Sequence, residues 1–210
     1  MYKLYARPAA GNVCVEAMLA ECAAQYEVIA LDRDAQGHLP DSLRAMNPMM
    51  QVPTLVLPGG QVMTESAAIL IYLGDAFPQS GLAPQATSPQ RGQYLRWMVF
   101  LATTLYMSDL RLYYPHKYTT EPSSTGGIKA KAAADMDDEF AVLAGVLGAK
   151  PYLLGDKMSA LDIYAAMLIN WGPDMAALGA RHPNLKALHD GVSSRPAIAP
   201  VWERNGMGQG

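Results

Sequence analysis

Apolar positions follow two rhythms along this chain, and the change between them divides it. Up to about residue 76, short apolar runs bounded by Gly, Pro, Asn or Asp alternate with helical spacing; beyond residue 89 only helical spacing remains. Lys3-Leu4-Tyr5 predicts a strand that Arg7-Pro8 ends. Ala9-Ala10-Gly11-Asn12 is a tight connection into a helix from about Val13 to Ala24, with Val13, Ala17, Ala20 and Ala24 at helical spacing. Tyr26 to Leu31 reads as a second strand, 32–39 as a polar loop, and Pro40 to Met46 as a short helix. Asn47-Pro48 starts a turn, after which Val52 to Leu57 and Val62-Met63 form a hairpin through Pro58-Gly59-Gly60. Two adjacent glycines there can both take positive φ. Ser66 occupies an N-cap position before an Ala/Ile/Leu-rich helix. The order is thioredoxin-like, a βαβ unit followed by an antiparallel pair, without a Cys-x-x-Cys.

A Pro/Ser/Thr-rich stretch, Leu82 to Pro89, reads as a linker between residues 1–80 and an all-helical half at 89–210. Gln90 to about Tyr114 predicts one long helix with Tyr94, Trp97, Met98, Leu101, Leu105 and Leu112 on its apolar stripe. A polar loop over Pro115–Gly127 precedes a helix from about Ile128 to Leu147, closed by Gly148. Ser159-Ala160-Leu161-Asp162 resembles a capping box ahead of a helix that is apolar nearly all round and therefore central. Two further short helices are expected at Asn184–Val192 and Pro196–Trp202.

Composition narrows the function. Charged residues make up 17% of the chain and the net charge is −3, with no basic block, which argues against nucleic-acid binding. No apolar run is long enough to span a bilayer and no signal-peptide pattern opens the chain, so a cytoplasmic protein is expected. Cys14 and Cys22 lie eight residues apart, about 12 Å on one helix, too far for a disulfide. The four histidines have no metal-ligand spacing, so no metal is expected.

Gln51-Val52-Pro53 followed by Glu65-Ser66 resembles the glutathione site of bacterial glutathione S-transferases, and the PYLLGDKMSALDIYAA segment resembles the same family. The resemblance implies an α/β thioredoxin-like domain followed by an all-α domain, the glutathione transferase fold. It implies a cis Pro53, the Val52 backbone against the cysteinyl unit of glutathione, Glu65 and Ser66 on the γ-glutamyl end, and Gln51 toward the glycyl end. Glutathione would be the co-substrate, a small hydrophobic electrophile its partner, and the protein a homodimer active in detoxification.

The family places a tyrosine, serine or cysteine after the first strand to stabilise the thiolate. Here the serine position falls on Ala10 and the cysteine position on Gly11, neither of which donates a side-chain hydrogen bond. Asn12 is the nearest donor and the candidate catalytic residue; the other reading is that it caps its helix. Tyr5 reads as strand and core. Cys14 stands in the first helical turn, where a thiol is acidified or simply buried. Arg7 suits a substrate carboxylate or a surface ion pair. For the second substrate, Tyr106 and Arg111 are the candidates, with Trp171 behind them. Three functions remain open: transferase, glutathione-dependent disulfide reductase, and a non-catalytic glutathione-binding or regulatory protein.

Overall fold

Tyr2–Ala6 forms β1, with Tyr2, Leu4 and Ala6 buried and Lys3 exposed, the alternation of a strand covered on one face. The computed structural model describes residues 1–207. β1 pairs in parallel with β2 (Tyr26–Ala30) and antiparallel with β3 (Thr54–Val56), which pairs antiparallel with β4 (Val62–Met63). The sheet order is β2-β1-β3-β4. At its centre Leu4 lies opposite Leu55, and both are fully buried.

Helix α1 (Asn12–Glu21) crosses from β1 to β2 and is buried from Asn12 through Leu19. It ends three residues before the expected Ala24, because Ala23 takes φ 50, a left-handed conformation that stops a helix. The expected helix at Pro40–Met46 shrinks to a 3₁₀ turn, Asp41–Leu43. The hairpin uses one left-handed glycine rather than two: Gly60 has φ 87, and its N–H donates to the Leu57 carbonyl at 2.8 Å. Helix α2 (Ser66–Ala76) packs on α1. Ser66 is its first helical residue; Glu65 occupies the N-cap, correcting the expected placement.

The second unit, Pro84–Val192, is helical. The expected long helix is α3 (Arg91–Phe100), a π-helical turn (Leu101–Leu105) and α4 (Tyr106–Tyr113). The π turn coincides with Thr103-Thr104; the Thr103 hydroxyl donates to the Val99 carbonyl at 2.9 Å, competing with the backbone ladder. Helix α5 spans Thr125–Leu147, starting before the expected Ile128 and absorbing Gly126 and Gly127. Helix α6 (Ala160–Asn170) is buried from Ala160 to Ile169, as its apolar surface requires. Helix α7 (Met175–Arg181), unforeseen, is capped by Asp174, whose carboxylate accepts from Ala177 N–H at 2.8 Å. Helix α8 spans Pro183–Ser193 and α9 Ala199–Arg204.

Residues from Ser193 onward belong with the first unit, where α9 packs on α1. The domain expected at 89–210 thus sends its last described residues, 193–207, back to the first unit; residues 208–210 lie outside the described residues. No helix among the described residues is long and apolar enough to cross a membrane.

The expected turn at Ser159–Asp162 closes around the Asp162 carboxylate. It accepts from Ser159 N–H at 2.7 Å, Ser159 Oγ at 2.9 Å and Leu153 N–H at 2.8 Å, with Asp162 fully buried. Asp162→Ala strands two buried N–H groups, at about 1–3 kcal/mol each. Ser159→Ala removes one hydroxyl bond, at about 1 kcal/mol. Urea denaturation should therefore rank Asp162→Ala as the more damaging of the two.

Candidate functional site

Strand register gathers three segments at one end of the sheet. The β3–β4 pairs are Leu55↔Met63 and Val56↔Val62. The pairing stops there, so Val52-Pro53 enters β3 at the same end of the sheet at which Thr64-Glu65 leaves β4 for Ser66. The β1–β3 pairs end at Tyr5↔Thr54, so Ala6 and Arg7 leave β1 at the end of the sheet where Val52-Pro53 enters β3. The loop into α1, the Val52–Pro53 bend and the start of α2 thus converge.

The Val52–Pro53 peptide is cis. The loop before it is braced by Asn47, whose buried Nδ2 donates to the Gln51 carbonyl at 2.9 Å and Thr54 Oγ1 at 3.2 Å. Among the described residues no hydrogen bond uses the Val52 N–H or C=O, which leaves both for an outside partner. Gln51 is exposed, its carbonyl occupied by Asn47 and by Thr54 Oγ1 at 3.0 Å.

Glu65 adopts φ 65 and ψ 104, a region that L-residues rarely visit. Its carbonyl accepts from Ile69 N–H at 2.9 Å and starts α2. Its carboxylate is exposed and has no hydrogen-bond or ion-pair partner among the described residues. Ser66 is buried beside it, in the first turn of a helix that contributes partial positive charge.

Asn12 is fully buried as the first residue of α1. It is not the cap: Gly11 holds that position, and the helix has no side-chain cap bond. Instead Asn12 Oδ1 accepts from Arg7 N–H at 3.0 Å, tying the loop to the helix. Asn12 Nδ2 is buried with no partner among the described residues. Cys14 is also fully buried; its thiol donates to the Gly11 carbonyl at 3.3 Å, and burial pushes its pKa up. That removes Cys14 as a source of thiolate.

In the helical unit, Tyr106 packs its ring at 5.6 Å from Trp171 and edge-on at 6.3 Å to Tyr164. The Tyr113 hydroxyl donates to the Trp171 carbonyl at 2.7 Å. Arg111 stands apart: five residues on is about 140° around a helix, and its guanidinium lies over Tyr118 at 5.8 Å. Tyr106 and Trp171 are brought together, whereas Tyr106 and Arg111 are not. Among the described residues no cluster of His, Cys, Asp or Glu could hold a metal ion.

Matches to known proteins show the family. Residues 15–76 match the glutathione S-transferase N-terminal domain, and residues 111–204 match the C-terminal domain of the same family. The chain belongs to the glutathione S-transferase family. An uncharacterized GST-like protein of Escherichia coli, YncG, is 29% identical over 206 residues, covering 98% of each chain. A sphingomonad glutathione S-transferase solved with glutathione superposes with a TM-score of 0.81 at 29% identity, over 97% of this chain and 98% of that one. A glutathione transferase homologue from Sulfitobacter, with bound glutathione, gives 0.87 at 25% identity over 99% of each.

The residue-level reading missed Asp109 in this transferase-family chain. It is 4% exposed, one carboxylate oxygen has no partner, and burial pushes its pKa to about 7. A lone acid between Leu105 and Leu112 on the apolar stripe was the available signal. Its unfolded carboxyl titrates near about 3.9, so a raised folded pKa makes ionisation oppose folding. Stability is then greatest below about pH 4 from this group and declines as pH rises through 7. Asp109→Asn should therefore gain stability relative to the parent between about pH 5 and pH 8, on the order of a few kcal/mol, as measured by denaturant titration at each pH.

Proposed function

We propose that this protein binds glutathione through Gln51, Val52, Pro53, Glu65 and Ser66 and transfers its thiolate to small hydrophobic electrophiles. The observation that carries the reading is Glu65: a strained residue with an unpartnered carboxylate, at the helix start that follows β4. Strain of this kind persists where surrounding structure over-determines it, and functional sites collect it. Glu65 holds the γ-glutamyl ammonium by charge, and Ser66 and the α2 N-terminus hold its carboxylate. The free Val52 N–H and C=O take the cysteinyl backbone.

Asn12 supplies the thiolate donor in this reading. Its orphaned Nδ2 sits at the start of α1, a helix with no acidic residue in its first turn, so both favour an anion there. The thiolate forms a C–S bond with the electrophilic carbon, whose leaving group departs with the bonding pair; within the helical unit, Tyr106 and Trp171 form an aromatic surface that suits a small hydrophobic molecule. A cytoplasmic setting suits the two free thiols. We read the protein as a homodimer, for which exposed Leu95 and Val99, one turn apart on α3, supply apolar surface. Light scattering at micromolar concentration should then report twice the 22.6 kDa chain mass; a stable 22.6 kDa species contradicts it.

One observation favours a second reading, a glutathione-binding protein without turnover. Asn12 is fully buried in this structure, so a sulfur reaches Nδ2 only if the residues covering it give way. Two variants distinguish the readings. Asn12→Ala should raise the bound thiol's pKa and slow turnover by about ten- to a hundredfold, with glutathione affinity nearly intact. A lowered melting temperature with turnover preserved would leave Asn12 only its bond to Arg7. Glu65→Ala should weaken glutathione binding by about ten- to a hundredfold without changing the melting temperature, since its carboxylate has no protein partner to lose.

A further inference from the structure

Glu16 stands in the middle of α1 and is 1% exposed, between Val15 and Ala17, which are fully buried. A carboxylate there requires partners, because an unpaired buried charge is strongly destabilising. The partners come from the far end of the chain. Arg204 Nε donates to Glu16 Oε1 at 2.7 Å, and Asn205 Nδ2 donates to Glu16 Oε2 at 2.9 Å. These pairs close loops of 188 and 189 residues. Asn205 is itself buried and donates as well to the Val201 carbonyl at 2.9 Å, while Arg204 donates to the Tyr26 hydroxyl at 3.1 Å. Every oxygen of Glu16 is therefore held in a fixed direction.

Four residues separate Glu16 from Asn12, so both project from the same side of α1, about 6 Å apart along its axis. Holding Glu16 fixes the rotation of the helix, and with it the direction of Asn12 Nδ2. We propose that Arg204 and Asn205 are positioning residues of the glutathione site, acting through Glu16 on the angle of Asn12. This inference rests on the reading of Asn12 as the thiolate donor. The match to the C-terminal domain extends to residue 204, yet residues from Ser193 cluster with the first unit. The segment thus belongs in sequence to one half and in function to the other.

A second clasp provides the control. Arg195 grips Glu21 with two bonds, Nε at 2.7 Å and Nη2 at 2.9 Å, at the opposite end of α1. Nine residues place that clasp about 13 Å from Asn12 along the axis. It stabilises the same helix without controlling the angle at its start.

The test uses full-length Arg204→Ala, Arg204→Lys and Arg195→Ala proteins, reading thiolate absorbance of bound glutathione against pH, glutathione affinity, turnover and melting. Arg204→Ala should raise the bound thiol's pKa and slow turnover about tenfold with affinity little changed, and Arg204→Lys should restore part of both, since lysine keeps the charge but not the fork. Arg195→Ala should lower the melting temperature and leave the thiol pKa alone. If Arg204→Ala fails to fold, Asn205→Ala, which leaves the arginine in place, carries the same expectation in smaller measure. A thiol pKa unchanged in the Arg204 or Asn205 variant overturns the inference, as does an equal shift in Arg195→Ala. A parent protein that binds glutathione without lowering its thiol pKa, or does not bind it, overturns the underlying reading as well, and the parent titration alone identifies that case.

Discussion

Strand β3 is paired on both sides, and its register decides where three loops end. With β1 on one flank and β4 on the other, Thr54 is fixed opposite Tyr5 and Leu55 opposite Met63. A slip of one residue would turn Leu55 from the core to the other face and separate Val52-Pro53 from Glu65-Ser66. The twelve-residue spacing between Pro53 and Glu65 thus spans the hairpin, with one residue before β3 and two after β4. A short turn at Leu57–Gly60 sets that length, and Asn47 holds the incoming loop so that the Val52 backbone groups stay unpaired.

The other support is electrostatic. Helix α1 lies under the site with almost no exposed surface, and it still carries Glu16 and Glu21. Two arginines and one asparagine from the last described segment satisfy those acids. A paired buried carboxylate adds little net stability but specifies one arrangement over neighbouring ones. In the reading proposed for Asn12, that specificity fixes the direction of the amide at the helix start.

Much of this was legible in the sequence. The strand order, the buried α6 and the turn at Ser159–Asp162 follow from periodicity and end signals acting over a few residues. What escaped notice was set by distant partners or by local competition. Glu65 took the cap because its unusual φ lets the hairpin and helix meet, and no residue preference announces that conformation in a glutamate. The π turn at Leu101–Leu105 left the helical pattern unbroken, so the two threonines read as ordinary surface. Helix α5 absorbed Gly126-Gly127, both exposed, although each glycine carries a propensity deficit of about 1 kcal/mol that reads as a loop. Helix α7 did carry a start signal, Pro173-Asp174, but at seven residues it was too short to show a period. The return of residues 193–207 to the first unit depends on pairs 174 to 189 residues apart, beyond any local pattern. In the site, Val52, Glu65 and Ser66 were read from a motif, whereas the commitment of Asn12 to Arg7 required coordinates.

The central claim is that one end of the sheet forms a glutathione site in which Asn12 faces the sulfur. A crystal structure of the protein with glutathione bound tests it most directly. The account predicts the cysteinyl backbone on the Val52 N–H and C=O, the γ-glutamyl group at Glu65 and Ser66, and the sulfur within hydrogen-bond reach of Asn12 Nδ2. Glutathione in this place with its sulfur on another donor, and Asn12 still buried, would contradict it.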